Sequence, residues 1–273
     1  MNNNKAEADK LLSQGVLILF SSAFAPPQNA LQPLQQALAL YREIGDREGE
    51  ANALQHLAQL YRQLGQHSEE IKLLREALAI CRDNDNHSGE ARSLECLGII
   101  QLDLNQQKEG IESLEQAVSI YRNIGKSEQE SNALNTIGVF YLESQQFQQA
   151  LEFFQKALSV AQQAGYFREQ LSPMRNLGST YAAIGQYQQA IVWYEYWLKV
   201  VHKAKLESIQ IGGISDEEKE AEILFFIGKM YIAQGEYEKA TETLDVSLFI
   251  YGELGNHQAE EAILMLLAEL RLR

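Results

Sequence analysis

A bulky apolar residue returns at Leu54, Leu94, Leu134, Met174, Leu224 and Leu264, and a second such column stands three positions on, at Leu57, Leu97, Ile137, Leu177, Ile227 and Leu267. The next residue is small every time: Ala58, Gly98, Gly138, Gly178, Gly228 and Ala268. Tyr61, Tyr141, Tyr181 and Tyr231 follow three further on. Apolar positions at such spacings draw one face of a helix. A glycine or alanine held in the middle of that face predicts a place where two backbones come close. A Gly-Gln or Gly-Glu turn ends most copies, and a second amphipathic helix follows each turn. "ALEFFQKALSVA" from Ala150 matches "AIVWYEYWLKVV" from Ala190 and "ATETLDVSLFIY" from Ala240. Ala150, Ala190 and Ala240 are expected to face the first helix, and Ala77, Ala117 and Ala157 to seat the following repeat.

The spacing divides the chain into a single array. A worn copy covers 10–49, and full repeats cover 50–89, 90–129, 130–169, 170–219 and 220–259. The repeat at 170–219 carries an insertion over 202–219, and a lone helix over 260–273 acts as a cap, which arrays of this kind need. The order of large residue, Leu-Gly, Tyr, then Ala, large aromatic and Ala resembles the tetratricopeptide repeat. The linking phrase "YREIGDREGEANAL", Tyr41 to Leu54, resembles its long forty-residue form, as in bacterial scaffold proteins. The resemblance implies an all-α, right-handed α-solenoid of antiparallel helix pairs.

Register also interprets "GVLILFSSAFAPP", residues 15–27, which ends like a signal-peptidase site. Subtracting one period from Leu57, Leu74 and Ala77 gives Leu17, Leu34 and Ala37, so the stretch reads as the first helix of the worn copy. Glu7 and Asp9 offset Lys5 and Lys10, whereas export needs a basic leading region. The expected location is cytoplasmic.

Two places depart from the pattern. In the copy at 90–129, Gln101 replaces Tyr, Asn105 replaces the turn glycine and Gly110 replaces Ala. Drift shared among neighbouring units explains this, with a flexible joint as the alternative. In "WYEYW", Trp197 takes a column otherwise held by Ala or Ser247. It is expected to push or turn the next repeat, with aromatics filling a widened joint. The alternative makes Trp193 and Tyr196 an outward partner surface and Gly212-Gly213 a flap.

Composition narrows the function. Hydrophobic residues are 45% of the 273, with only 4 prolines, and no run is long enough for a membrane helix. With 37 acidic residues against 23 basic ones the net charge is −14, which disfavours nucleic acid. Cys81 and Cys96 have no CxxC spacing and read as small buried hydrophobes. The five histidines form no HExxH or Cys/His metal set. No glycine loop for a nucleotide is present, and no nucleophile stands with a base. The expectation is a protein that is not an enzyme and takes no cofactor or metal.

In the family resembled, the first helices line the concave side of a superhelix. Carried over copy by copy, the lining positions are Asn52, Gln55, His56 and Gln59; Arg92, Glu95 and Ile99; Asn132, Asn135 and Val139; Ser172, Arg175, Asn176 and Ser179; Glu222, Phe225 and Lys229. Asparagine amides can satisfy an extended backbone, and Arg92 and Arg175 can clamp a carboxylate. The cluster singled out is Asn132, Asn135, Arg175 and Asn176. The plain alternative is a polar, hydrated wall. The function expected is an adaptor binding an extended or acidic segment of another protein. Its rivals are a signalling-peptide receptor and a homodimer built through the last helix with Leu266 and Leu270 left open.

Overall fold

A computed structural model describes residues 2–20, 26–207, 209 and 215–272. Among the described residues there are thirteen α-helices and no strand. They are α1 (Asn2–Phe20), α2 (Leu31–Ile44, entered through a 3-10 turn at Pro27–Ala30), α3 (Arg47–Gln63), α4 (His67–Asp83), α5 (His87–Asp103) and α6 (Gln107–Asn123). α7 (Ser127–Glu143), α8 (Phe147–Gln163), α9 (Phe167–Ala183), α10 (Tyr187–Leu206), α11 (Asp216–Gln234), α12 (Tyr237–Leu254) and α13 (His257–Arg271) follow. The chain divides into two compact units, Met1–Ala133 and Leu134–Arg273, with the boundary inside α7. In the first unit α1/α2, α3/α4 and α5/α6 pair, and each pair packs on the next; in the second, α9/α10 and α11/α12 do the same, with α13 against α12. This is an all-α solenoid of helix pairs.

The small column sits where helices touch. A Cβ placed on Gly98 would lie 2.6 Å from the Leu114 side chain, one on Gly138 2.6 Å from Phe154, and one on Gly228 2.7 Å from Leu244; Gly178 meets Tyr194 in the same way. Each first helix thus offers a gap and each second helix fills it with one large, buried side chain. Gly110 has a reason of its own: a Cβ on Gly98 would come within 2.9 Å of the Gly110 carbonyl oxygen. The worn look of 90–129 is therefore a closer approach of α5 to α6. The Gln101 amide also hydrogen-bonds the Ser113 hydroxyl at 2.8 Å, so the residue replacing Tyr ties the same two helices.

Turns obey a stricter rule than the sequence displays. Left-handed backbone occurs at Gly45, Gly65, Asp85, Asn105, Gly125, Gln145, Gly165 and Gly185, and again at Gly235 and Gly255. At Gly65 and at Asn105 the same hydrogen bond closes the helix: Gln66 N–H to Tyr61 C=O at 2.9 Å, and Gln106 N–H to Gln101 C=O at 2.8 Å. The rhythm lapses where α10 runs on to Leu206. Part of the insertion expected over 202–219 is helix: its start extends α10, and Asp216 to Lys219 open α11, capped by Ser215 Oγ on the Glu218 N–H at 3.1 Å. The flap expected at Gly212-Gly213 lies outside the described residues, as does the Ala-Phe-Ala at 23–25.

Register slips at the first helix. Leu17, expected in the core, is 70% exposed, while Ala8 and Leu19 are buried and Gly15 packs on Leu34. The longer connection before α2 lets α1 sit about one turn out of step, so Gly15 replaces residue 18 at the contact. In α11 and α13 the buried residues are Ile223 and Ile263 rather than Leu224 and Leu264, and Leu264 is 53% exposed. Leu266 and Leu270, expected open, are half-buried against the cluster of Leu244, Tyr251 and Leu267. The open apolar residues there are Leu264, Met265 and Leu272. Trp197 is buried in the second unit's core with Val200, Val201, Ile223 and Ile227.

Candidate functional site

Because the core stripe of each first helix points at its partners, the residues beside it form a flank that is partly open. In the first unit this flank surrounds a hollow of about 450 Å³. Gln59, Arg62 and Gln63 of α3 and Arg92, Glu95 and Ile99 of α5 line it, with apolar floor from Ala58 and Leu74. Arg62 leans on the buried Glu70 (3.8 Å) and on Asp103 (3.6 Å). Arg92 is half-buried and makes no ion pair among the described residues. Glu95 accepts the Tyr121 hydroxyl at 2.8 Å, and burial pushes its carboxyl above the usual carboxylate range. Burial, with help from Arg92, holds the His56 imidazole down to about 4, so it is neutral at pH 7; its Nδ1 is buried without a hydrogen bond among the described residues. Burial lifts the Cys96 thiol to about 11, leaving it protonated.

The expected residues fare differently. Gln55 is buried, and its Nε2 donates to the Gly89 carbonyl (2.9 Å) and to Ser93 Oγ (2.8 Å). It is a strut between α3 and α5 rather than a free amide, because a buried amide without such partners would be costly. Asn52 is half-buried on α3, and Asn132 is exposed on α7. In the second unit Asn176 Nδ2 donates to Asn135 Oδ1 at 3.0 Å, so the asparagines of neighbouring first helices pair with each other. Arg175 is half exposed, 3.5 Å from Glu222, with its guanidinium 5.7 Å from the Phe226 ring centre. Its charge is thus already engaged. Ser179 Oγ lies 3.2 Å from the Tyr194 hydroxyl, and Lys229 Nζ stands 5.4 Å over Phe225.

Trp193 is half-buried against the second unit's core, and Tyr196 is 38% exposed, its hydroxyl accepting from Gln162 Nε2 at 3.0 Å. Both belong to a second helix, α10, and not to the first-helix flank. What sequence reading missed is a group on α11, α12 and α13: Glu218, Phe226, Tyr251 and Ile263 line a cavity of about 380 Å³ with Glu222 and Phe225. The repeat gave no signal for it, since α13 packs on α12 as other first helices pack on the second helix before them, and Phe226 stands where the other copies have His56, Cys96, Thr136 and Asn176. Among the described residues no set of His, Cys, Asp and Glu forms a metal cluster, and no helix is long and apolar enough to cross a membrane.

Helix pairs in series, with a mixed polar and apolar flank on the first helices, define a helical-repeat solenoid, a fold that suggests a protein–protein interaction scaffold. Two tetratricopeptide repeat models match, one over residues 27–83 and 129–195, the other over 91–124 and 221–245. The chain belongs to the tetratricopeptide repeat family. Among curated proteins, none matches significantly. Solved structures share its fold. A signal transduction ATPase with numerous domains and a tetratricopeptide repeat sensor, from Pyrococcus horikoshii, aligns with a TM-score of 0.75 at 15% identity, over 97% of this chain and 38% of that one. BtubC (BKLC) from P. vanneervenii gives 0.64 at 17% identity, covering 93% and 92%. The quorum sensor NprR of B. thuringiensis gives 0.61 at 15%, covering 95% and 69%. At such identities the likeness is one of fold.

Proposed function

We propose that the chain is a non-enzymatic adaptor whose first-helix flanks hold an extended segment of another protein. The observation that carries this is Arg92: a half-buried arginine, without an ion pair among the described residues, on the wall of a hollow of about 450 Å³ that also offers Ile99 and the amide of Gln59. Volume and lining suit one side chain or a chain end of a ligand. A carboxylate there gains a two-pronged hydrogen bond from arginine, so the segment is acidic at this point. The structural likeness to a protein with a tetratricopeptide repeat sensor and to a quorum sensor fits a receptor-like use of the fold.

A photo-crosslinking residue placed at Gln59 tests the proposal, with one at the exposed second-helix residue Ser159 as the control. The expected outcome is one recurrent protein adduct through 59, mapping to an acidic segment, weak or absent through 159, and lost with Arg92→Glu. Equal labelling from both positions, or an adduct that Arg92→Glu leaves in place, overturns it.

A further inference from the structure

The first-unit hollow mixes Arg62 and Arg92 with Glu70 and Glu95, whereas the cavity of the second unit has carboxylates alone. Its walls are the carboxylates of Glu218 and Glu222, the rings of Phe225, Phe226 and Tyr251, and the apolar Ile263. No lysine or arginine lines it. The rings already attract cations from outside the cavity, with Arg175 over Phe226 and Lys229 over Phe225. Tyr251 is only 7% exposed, yet its hydroxyl has no hydrogen-bond partner among the described residues and it lines the cavity. Burial, together with Glu222 and Glu218, drives that phenol up to about 12, so it remains a neutral O–H. The hydroxyl opens into the recess as a free donor or acceptor, and two carboxylates beside aromatic faces make that recess negative.

We propose that this cavity is a subsite for a guanidinium on an aliphatic stem, an arginine side chain of a bound segment, with the charge between Glu218 and Glu222 and the stem against Phe225 and Phe226. Arginine suits it better than lysine: its planar group stacks on rings and reaches two acceptors at once. This rests on the reading of the first-helix flanks as segment-binding walls, and gives the segment a basic residue at the second unit. Arg175 is then an internal competitor for Glu222, held 3.5 Å away, and not part of the ligand grip.

The test uses fluorescein-labelled Gly/Ser octapeptides with a single central arginine, norleucine or glutamate, read by anisotropy on the full chain. The arginine peptide should bind at least tenfold more tightly than the norleucine one, and salt should weaken it. Glu218→Gln with Glu222→Gln should abolish that preference while the circular dichroism spectrum and Tm hold. Arg175→Ala should tighten binding severalfold. Equal binding of the arginine and norleucine peptides, insensitivity to the double glutamine variant, or weaker binding by Arg175→Ala each overturns the subsite. Agmatine, as free ligand, separates the sources: displacement only at much higher concentration supports a peptide side chain. Agmatine binding as tightly as the peptide supports the guanidinium pocket but overturns the segment reading beneath it. A missing adduct at Gln59 would leave these measurements intact.

Discussion

At three joints of the first unit an arginine near the end of a second helix crosses to a glutamate in the first turn of the next helix. Arg42 Nε is 2.9 Å from Glu50, Arg82 Nε 2.8 Å from Glu90 and Arg122 Nε 2.7 Å from Glu130. At the matching joint of the second unit both places are glutamine, Gln162 and Gln170, and their amides turn to Tyr196 and to the Tyr166 carbonyl. Further on, the glutamate is Glu220 and its partner is His202, at 3.3 Å. The second unit compensates with rings: Phe154, Tyr194 and Trp197 are buried, and Tyr194 stacks on Phe226 at 5.3 Å. One repeat is therefore fastened in two ways, by recurring ionic clasps and by bulky aromatic packing. The flanks differ too: both charges line the hollow of the first unit, Arg62 and Arg92 with Glu70 and Glu95, while carboxylates and rings without a cation line the cavity of the second.

The sharpest way to break the comparison is at the closest backbone approach. Gly98→Val puts branched bulk against the Gly110 carbonyl and Leu114, where backbone cannot yield, and should cost roughly 3 kcal/mol by overpacking. Urea unfolding followed by circular dichroism measures it, and a cost under about 1 kcal/mol would mean α5 and α6 do not meet there. Next comes the clasp. Arg122→Ala strands Glu130, whose side chain is 7% exposed, and should cost about 2 kcal/mol. Gln162→Ala, at the equivalent place, should cost about 0.5 kcal/mol or less. Equal losses would erase the distinction between the two kinds of joint.

A further effect is in acid. His56 has its folded pKa lowered from 6.5 to about 4, chiefly by burial and then by Arg92. The unfolded chain takes up the proton first, so this stability is full above pH 6.5 and lost as pH falls toward about 4. Urea midpoints of His56→Gln should therefore fall less between pH 7.5 and 4.5 than those of the wild type, by the equivalent of roughly 2 kcal/mol. A parallel decline in both proteins would place the acid sensitivity elsewhere.

Much of this was legible because the repeat checks itself. Gly138, Gly178 and Gly228 could be placed at helix contacts from their column alone, since six copies share one geometric need. Gly110 could not, because its cause is Gly98, a residue on another helix. Gln55 looked like a ligand amide until Gly89 and Ser93 were found beside it. The turn glycines were read as punctuation, yet Asp85, Asn105 and Gln145 adopt the same left-handed backbone. Two helix ends meeting every twenty residues impose that conformation whichever side chain is present, although residues other than glycine pay for it.

Local periodicity settled the class: spacings of three and four residues force helices, and a small residue within the apolar face forces them to pair. Those are properties of neighbouring positions, and they survive translation along the chain. Tertiary structure alone decided the end effects and the chemistry of the flanks. The slide of α1 onto Gly15, the engagement of Arg175 by Glu222, and the joining of Glu218, Tyr251 and Ile263 around one cavity depend on side chains from helices far apart in sequence. A repeat pattern records what every copy shares. A binding site is made where the copies differ and pack against one another.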